Sequence, residues 1–484
     1  MFGFLEVPRN TGFGLAVCVR VVSVIAVLVA GTLWGVSASA HGTWGHIHVT
    51  AWAIENLPPG ELRDFFDDPD VRNAAYFGAV FTDSGYSPNP NAAAAEAYGE
   101  YSHVEHFVEA YIQWMIANDP APFESKESKM RVAFLMGAAS HGLQDELFDS
   151  HLLLLGYWIG EGDQAIVDPG VDGFLAVDGY VQVIPEVWMP MDVLLDLYSG
   201  LDEEVTAAVI EHGVNVLMTG YISEFGLKVA KAIGSNVGEQ IPWTRAHYMD
   251  PEIPGSLRTE ILPTMAYIQA IWARLHDDFR VDDLVIYKFP ELPRRLLTGD
   301  SSSTHTASIF VFGKGVEDTT LSAALFDDAG DEIPSWFYAN RWGGDPGDVT
   351  RIMRVKPTED IEGGEWYTSV LAAGARLVDG TETTRPYEHR YQVTCDDVDD
   401  PRCPVLDEIP PPVMRLPIAD DPIDEGVDDG ESDGGDGVGV DDGAGGSGGC
   451  DASGSSSGAV PWLMLTVCLL VLRRRRGMVR RASA

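Results

Sequence analysis

The sequence predicts an all-α domain over residues 41–283, followed by a small all-β sandwich over 284–395, set between an export signal and an acidic tail. Three observations predict this. Long stretches free of proline place apolar residues at helical spacing through the first half, as at Val132, Leu135, Met136 and Ala139. After about Leu284 the texture changes to short runs of β-branched and aromatic residues separated by Gly/Asp turns. And seven of the twelve histidines fall between 41 and 151, which marks the helical half as the one carrying chemistry.

Composition bounds the function. Asp+Glu number 74 against Lys+Arg 32, a net charge of -42, which argues against a basic nucleic-acid-binding face. Hydrophobic residues at 45% of the 484 are enough for sizeable cores. Five cysteines are too few for a disulfide-built scaffold.

Residues 1–40 read as a secretory signal. Arg9 and Arg20 precede the apolar run Val21 to Trp34, and Ala38-Ser39-Ala40 forms a small-residue cleavage site. The mature chain is then expected to begin at His41. Helices are expected over His103 to Met115, Ser128 to Asp145, Met191 to Ile222 and Pro254 to Phe279, with a Gly/Asp-rich loop from Gly156 to Gly173. Strands are expected at Thr306 to Phe312, Trp366 to Leu371 and His389 to Thr394. The segment Val355 to Tyr367 resembles bacterial Ig-like modules. Cys395 and Cys403 are close enough in sequence for a small disulfide loop.

From Asp420 the composition turns to Asp, Gly and Ser, so 396–449 reads as an extended acidic linker. Residues 450–484 hold Cys450, an apolar run from Ala459 to Leu472, and four arginines at 473–476. Fourteen apolar residues are few for a spanning helix, and the arginines favour the cytoplasmic side. This tail resembles the C-terminal sorting tails of myxobacterial surface proteins. The resemblance implies a sorting protease acting near Cys450 and anchoring at the outer cell surface.

The strongest chemical element is Ser140-His141-Gly-Leu-Gln-Asp145-Glu-Leu-Phe-Asp-Ser-His151. His141 and Asp145 are one helical turn apart, so an imidazole and a carboxylate can reach one ion. A helix break beyond them could turn His151 back towards a neighbouring ion. With the preceding Val-Ala-Phe-Leu-Met-Gly-Ala-Ala, this His-x3-Asp-x5-His pattern is similar to the zinc-dependent phospholipase C family, which includes glycosylphosphatidylinositol-specific phospholipase D and, more distantly, fungal single-strand nucleases. The resemblance covers about 41–280. It implies a helical fold with about three zinc ions in a cleft.

Carried over by position, the resemblance implies nine ligands. Asp83, His103, His141 and Asp145 form a first site, with His106 a rival to His103. The His41 amine and carbonyl, with His46 and Asp145, form another, and His48 is structural. The expected His-x3-Asp/Glu after His151 is replaced by Asp168-Pro-Gly-Val-Asp172, so that site is His151, Asp168 and Asp172, or a plain surface loop. The family chemistry is phosphodiester hydrolysis by metal-activated water, with Asp83 as the catalytic carboxylate. Phospholipid or a membrane surface is the expected substrate. A single-strand nuclease and a surface binding protein with a degenerate zinc site are the alternatives. Trp44, Phe81, Tyr86, Tyr101, Phe148, Tyr157 and Trp158 either receive substrate or fill the core.

Overall fold

A computed structural model describes residues 42–251, 253–290, 307–339, 349–359 and 361–393. The segments expected to form the export signal, the acidic linker and the apolar tail, together with His41, Cys395, Cys403 and Cys450, lie outside the described residues.

The helical half is built around α1 (Thr43–Glu55), whose residues Trp44 to Ile54 are all buried. A helix buried on every side belongs inside a bundle. After the short α2 (Glu61–Phe65), α3 (Pro69–Phe81) starts from Asp68, whose side chain accepts from the Asp70 N–H, with Pro69 in the first turn. A 3₁₀ turn (Thr82–Tyr86) continues it. Next come α4 (Ala92–His103), α5 (Glu105–Asn118) and α6 (Lys126–Phe148). The single expected helix over 103–115 is thus interrupted at Val104, which is extended at φ -96°, ψ 155°.

Helices α3 and α6 touch backbone to backbone. A Cβ on Gly137 would overlap the Ala75 carbonyl, and one on Gly78 would overlap that of Phe134. Only glycine at both positions allows this approach.

A π turn (Asp149–Leu153) carries α6 into α7 (Leu154–Trp158). The loop expected over 156–173 is overturned in part: 164–177 forms α8 (Gln164–Val177). The Asp163 side chain accepts from the Ala165 N–H and caps it, and Gly173 packs directly on Gly234 further along the chain. The expected 191–222 helix divides into α9 (Met191–Tyr198) and α10 (Ala207–Gly220), with Gly200 and the acidic 202–204 run between them. Then follow α11 (Glu224–Val237), α12 (Pro242–His247) and α13 (Leu257–Leu275). Among the described residues no helix is long and apolar enough to cross a membrane.

Among the described residues the β half holds two four-stranded antiparallel sheets. One has the order β1 (Val285–Phe289), β2 (Ser308–Glu317), β6 (Val349–Pro357), β5 (Ser335–Ala339). The other runs β4 (Glu332–Ile333), β3 (Ala323–Asp327), β7 (Trp366–Leu371), β8 (Tyr387–Gln392). In β7 burial alternates residue by residue, as a strand with one face inward requires.

The halves share one core. Phe107 and Tyr267 of the helices belong to the same buried cluster as Phe310 and Val355 of the strands. Within the helical half Arg274 donates to Glu105 at 2.9 Å and to Glu109 at 2.7 Å, and across the boundary Lys314 of β2 approaches Glu109 at 3.4 Å. Arg351 of β6 donates to Glu146 of α6 at 2.8 Å.

Candidate metal centre

Five ligand-type side chains meet where α1, the 3₁₀ turn, the end of α4 and the middle of α6 converge: His46, Asp83, His103, His141 and Asp145. His46, His141 and Asp145 bring one ligand atom each within 4.8 Å of one another, and so do Asp83, His103 and His141. His106, the rival, is exposed, and His103 occupies the cluster.

The proton positions follow from the partners. Nδ1 of His141 lies 2.7 Å from the Ala79 carbonyl, and Nδ1 of His103 lies 2.7 Å from that of Gly99. A carbonyl oxygen only accepts, so each Nδ1 carries a hydrogen, and in the neutral ring each Nε2 presents a lone pair. These two Nε2 atoms face each other at 3.0 Å. His46 sets Nδ1 against Gln144 Oε1 at 2.9 Å, while Gln144 Nε2 donates to Thr50. Its Nε2 lies 3.2 Å from Asp145 Oδ1, and His141 Nε2 lies 3.2 Å from Asp145 Oδ2. The His46 and His141 rings stack at 3.6 Å.

Lone pairs therefore face lone pairs across a buried space. Both Asp83 oxygens are buried without a hydrogen-bond partner among the described residues. Nε2 of His103 and of His141 each stand 3.7 Å from Asp83 Oδ1, beyond hydrogen-bond reach. Such a set is stable only around a positive charge, either protons on the rings or a metal ion. Burial raises the Asp145 carboxyl, but the His141 and His46 rings outweigh it and hold it well below the usual range. Burial lowers the His103 ring, and Asp83 and Asp145 bring it back above its ordinary value. These residues fit a metal ion.

Beside this cluster lie His151, Asp149 and Asp168. His151 Nδ1 is 2.8 Å from the Leu147 carbonyl, so its Nε2 is also a bare lone pair, and it is buried without a partner among the described residues. Asp149 Oδ1 and Asp168 Oδ1 share that condition. Burial, and then the Asp145 charge, raise the Asp149 carboxyl well above the ordinary range; burial and the neighbouring aspartates do the same to Asp168. The three do not close to the 4.8 Å spacing of the first cluster.

Asp172 is engaged differently. Its oxygens accept from the backbone N–H groups of Trp44 at 3.1 Å and Gly45 at 3.0 Å, so it caps the start of α1 from another helix. A Cβ on Gly42 would overlap the Asp172 carboxylate. The surface-loop alternative for 168–172 does not hold, since both aspartates are buried on α8.

His48 has both nitrogens occupied: Nδ1 faces the Trp44 carbonyl at 2.7 Å, and Nε2 accepts from the Gln182 N–H at 3.0 Å. Trp44, Phe81 and Phe148 are core residues, whereas Tyr157 and Trp158 are 54% and 46% exposed.

Sequence reasoning passed over Asp149, Gln144 and Arg351. Asp149 was signalled by spacing, since His141, Asp145 and Asp149 recur every four residues on one helix face. Arg351, which also donates to the His103 carbonyl at 2.8 Å, comes from the strand half and had no local signal.

No family model and no curated protein matches the chain. Among solved structures it is similar to domains 1–6 of the surface-layer protein SbsC, with TM-score 0.17 and 9% identity over 67% of this chain and 46% of that one. It is also similar to the N-terminal part of SbsC, a bacterial S-layer protein, with TM-score 0.17 and 11% identity over 67% and 79%. The chain thus spans less than half of the first of these, and likeness at that TM-score carries no argument.

Proposed function

We propose that the protein is an exported, surface-anchored, zinc-dependent phosphodiesterase of the phospholipase C type, acting on phospholipids. The observation that carries this reading is the convergence of three imidazole lone pairs on the carboxylates of Asp83 and Asp145. The β half is read as an Ig-like accessory module.

Zinc, when bound, would lower the pKa of a coordinated water and polarise a phosphoryl oxygen. His46 and Asp145 would hold one ion, together with the His41 terminus, and Asp83, His103, His141 and Asp145 would hold another. Gln144 and the carbonyls of Ala79 and Gly99 fix the ring orientations through Nδ1. Asp83 has an oxygen to spare for orienting or deprotonating the attacking water. His151 and Asp168 would serve a third ion, with Asp168 standing where the family has histidine.

One observation favours a second reading, a surface binding protein with a degenerate site: Asp172 holds the start of α1. Zinc content and product analysis separate the two. Protein beginning at His41, loaded with zinc, is incubated with phosphatidylcholine, glycosylphosphatidylinositol and single-stranded DNA. About three zinc ions per chain and a cleaved lipid headgroup are expected. Cleavage of DNA alone would make it a nuclease, and one ion or none without any product would make it a binder.

A further inference from the structure

Strand β6 carries three buried cations along the ligand-bearing helix: Arg351, Arg354 and Lys356. Two have evident partners. Arg351 pairs with Glu146, and the Lys356 ammonium lies over the rings of Trp158 at 5.3 Å and Trp336 at 5.5 Å.

Arg354 is different. It is 2% exposed, its guanidinium rests 5.2 Å from the Tyr338 ring, and one Nη donates to the Ser150 carbonyl. Its Nε has no acceptor, and no carboxylate reaches it among the described residues. A buried guanidinium without a counter-charge is costly. Acids are not scarce in a chain with 74 of them, so the missing partner is not a matter of supply. Ser150 precedes His151 on the π turn, so the guanidinium holds the backbone next to that histidine. A guanidinium with no carboxylate partner thus meets the backbone of the turn that carries His151.

We propose that Arg354, supplied by the β half, is the anion-receiving group of this site and binds a phosphoryl oxygen of the substrate. The fork geometry of guanidinium suits phosphate oxygens, which supply the missing counter-charge. This rests on the phosphodiesterase reading and adds to it a residue from outside the helical domain.

The test uses the mature, zinc-loaded protein with inorganic phosphate as probe. Phosphate affinity is measured by calorimetry, alongside zinc content and the separate kcat and KM for a short-chain phosphatidylcholine below its micellar concentration. Arg354→Gln should keep the wild-type zinc content and bind phosphate roughly tenfold more weakly or worse. The same loss should appear for the lipid, whose phosphoryl group is the shared feature. Arg354→Lys keeps the charge but not the fork, and should recover only part of the affinity. If the Gln variant does not fold, the Lys variant decides, by weakened or unchanged phosphate binding. Wild-type phosphate affinity in either variant, or no phosphate binding by the wild type, would overturn the assignment. Arg354-dependent phosphate binding without hydrolysis of lipid or DNA would sustain it while removing the phosphodiesterase reading.

Discussion

His46 and His48 sit two residues apart on one buried helix, yet their outer nitrogens have opposite surroundings. His48 Nε2 accepts a backbone N–H, and burial, only partly offset by the Trp44 carbonyl, lowers its pKa to about 4. His46 Nε2 is aimed at Asp145. His46→Ala should therefore remove bound metal, while His48→Ala keeps it and lowers stability by about 1–3 kcal/mol for the unpaired backbone groups left behind. Metal analysis and urea unfolding of the two variants check this; equal metal loss in both would contradict it. Gln144→Ala removes no ligand but frees the His46 ring, so metal affinity should fall roughly 10–100-fold. The ligand types and the His141/Asp145 pairing were legible in the sequence because helical spacing is local. Gln144 was not, because its meaning depends on a helix 98 residues away.

At the scale of the element, α8 shows where reading by breaker residues fails. Pro169, Gly170 and Gly173 argue for a loop, but tertiary contact outweighs that preference. Gly173 lets α8 meet α11 so closely that a Cβ would lie 2.6 Å from the Gly234 Cα and 2.8 Å from the Ala230 carbonyl. Gly173→Ala should separate the two helices and cost about 1–3 kcal/mol, measured as a shift in the urea midpoint. Because α8 also carries Asp172, Asp172→Ala should unseat the start of α1 and cost about 1–2 kcal/mol. A variant as stable as the wild type would show that α1 needs no cap from α8. By contrast α6 and β7 were legible nearly to their ends, since 3.6- and 2-residue periods need no distant partner.

For the whole molecule, the boundary near 284 was legible as a change of texture, but the shared core was not. Arg274 is buried against Glu105, so Arg274→Met leaves a carboxylate without its charge partner and should cost about 3–5 kcal/mol. Far-UV circular dichroism and fluorescence should report one common transition in the wild type; two separate transitions would show independent halves. Acid sensitivity has a strand-half component as well. Burial, and then Lys288, hold the His389 ring down at about 4 against an ordinary 6.5. The folded protein resists that proton, so stability is full above pH 6.5 and falls as the pH drops from there towards about 4. The loss reaches about 3 kcal/mol, and His389→Gln should flatten that limb of the urea-midpoint profile.

The ion pair between Arg351 and Glu146 also limits how such a protein can evolve. A gene that exchanged its strand half for another of the same topology would leave Glu146 buried alone beside Asp145. It would also take away the donor that holds the His103 carbonyl. The two halves are therefore not interchangeable beads. Their seam is inherited as a unit, and recombination within this lineage is expected to fall outside it, in the acidic stretch after residue 395.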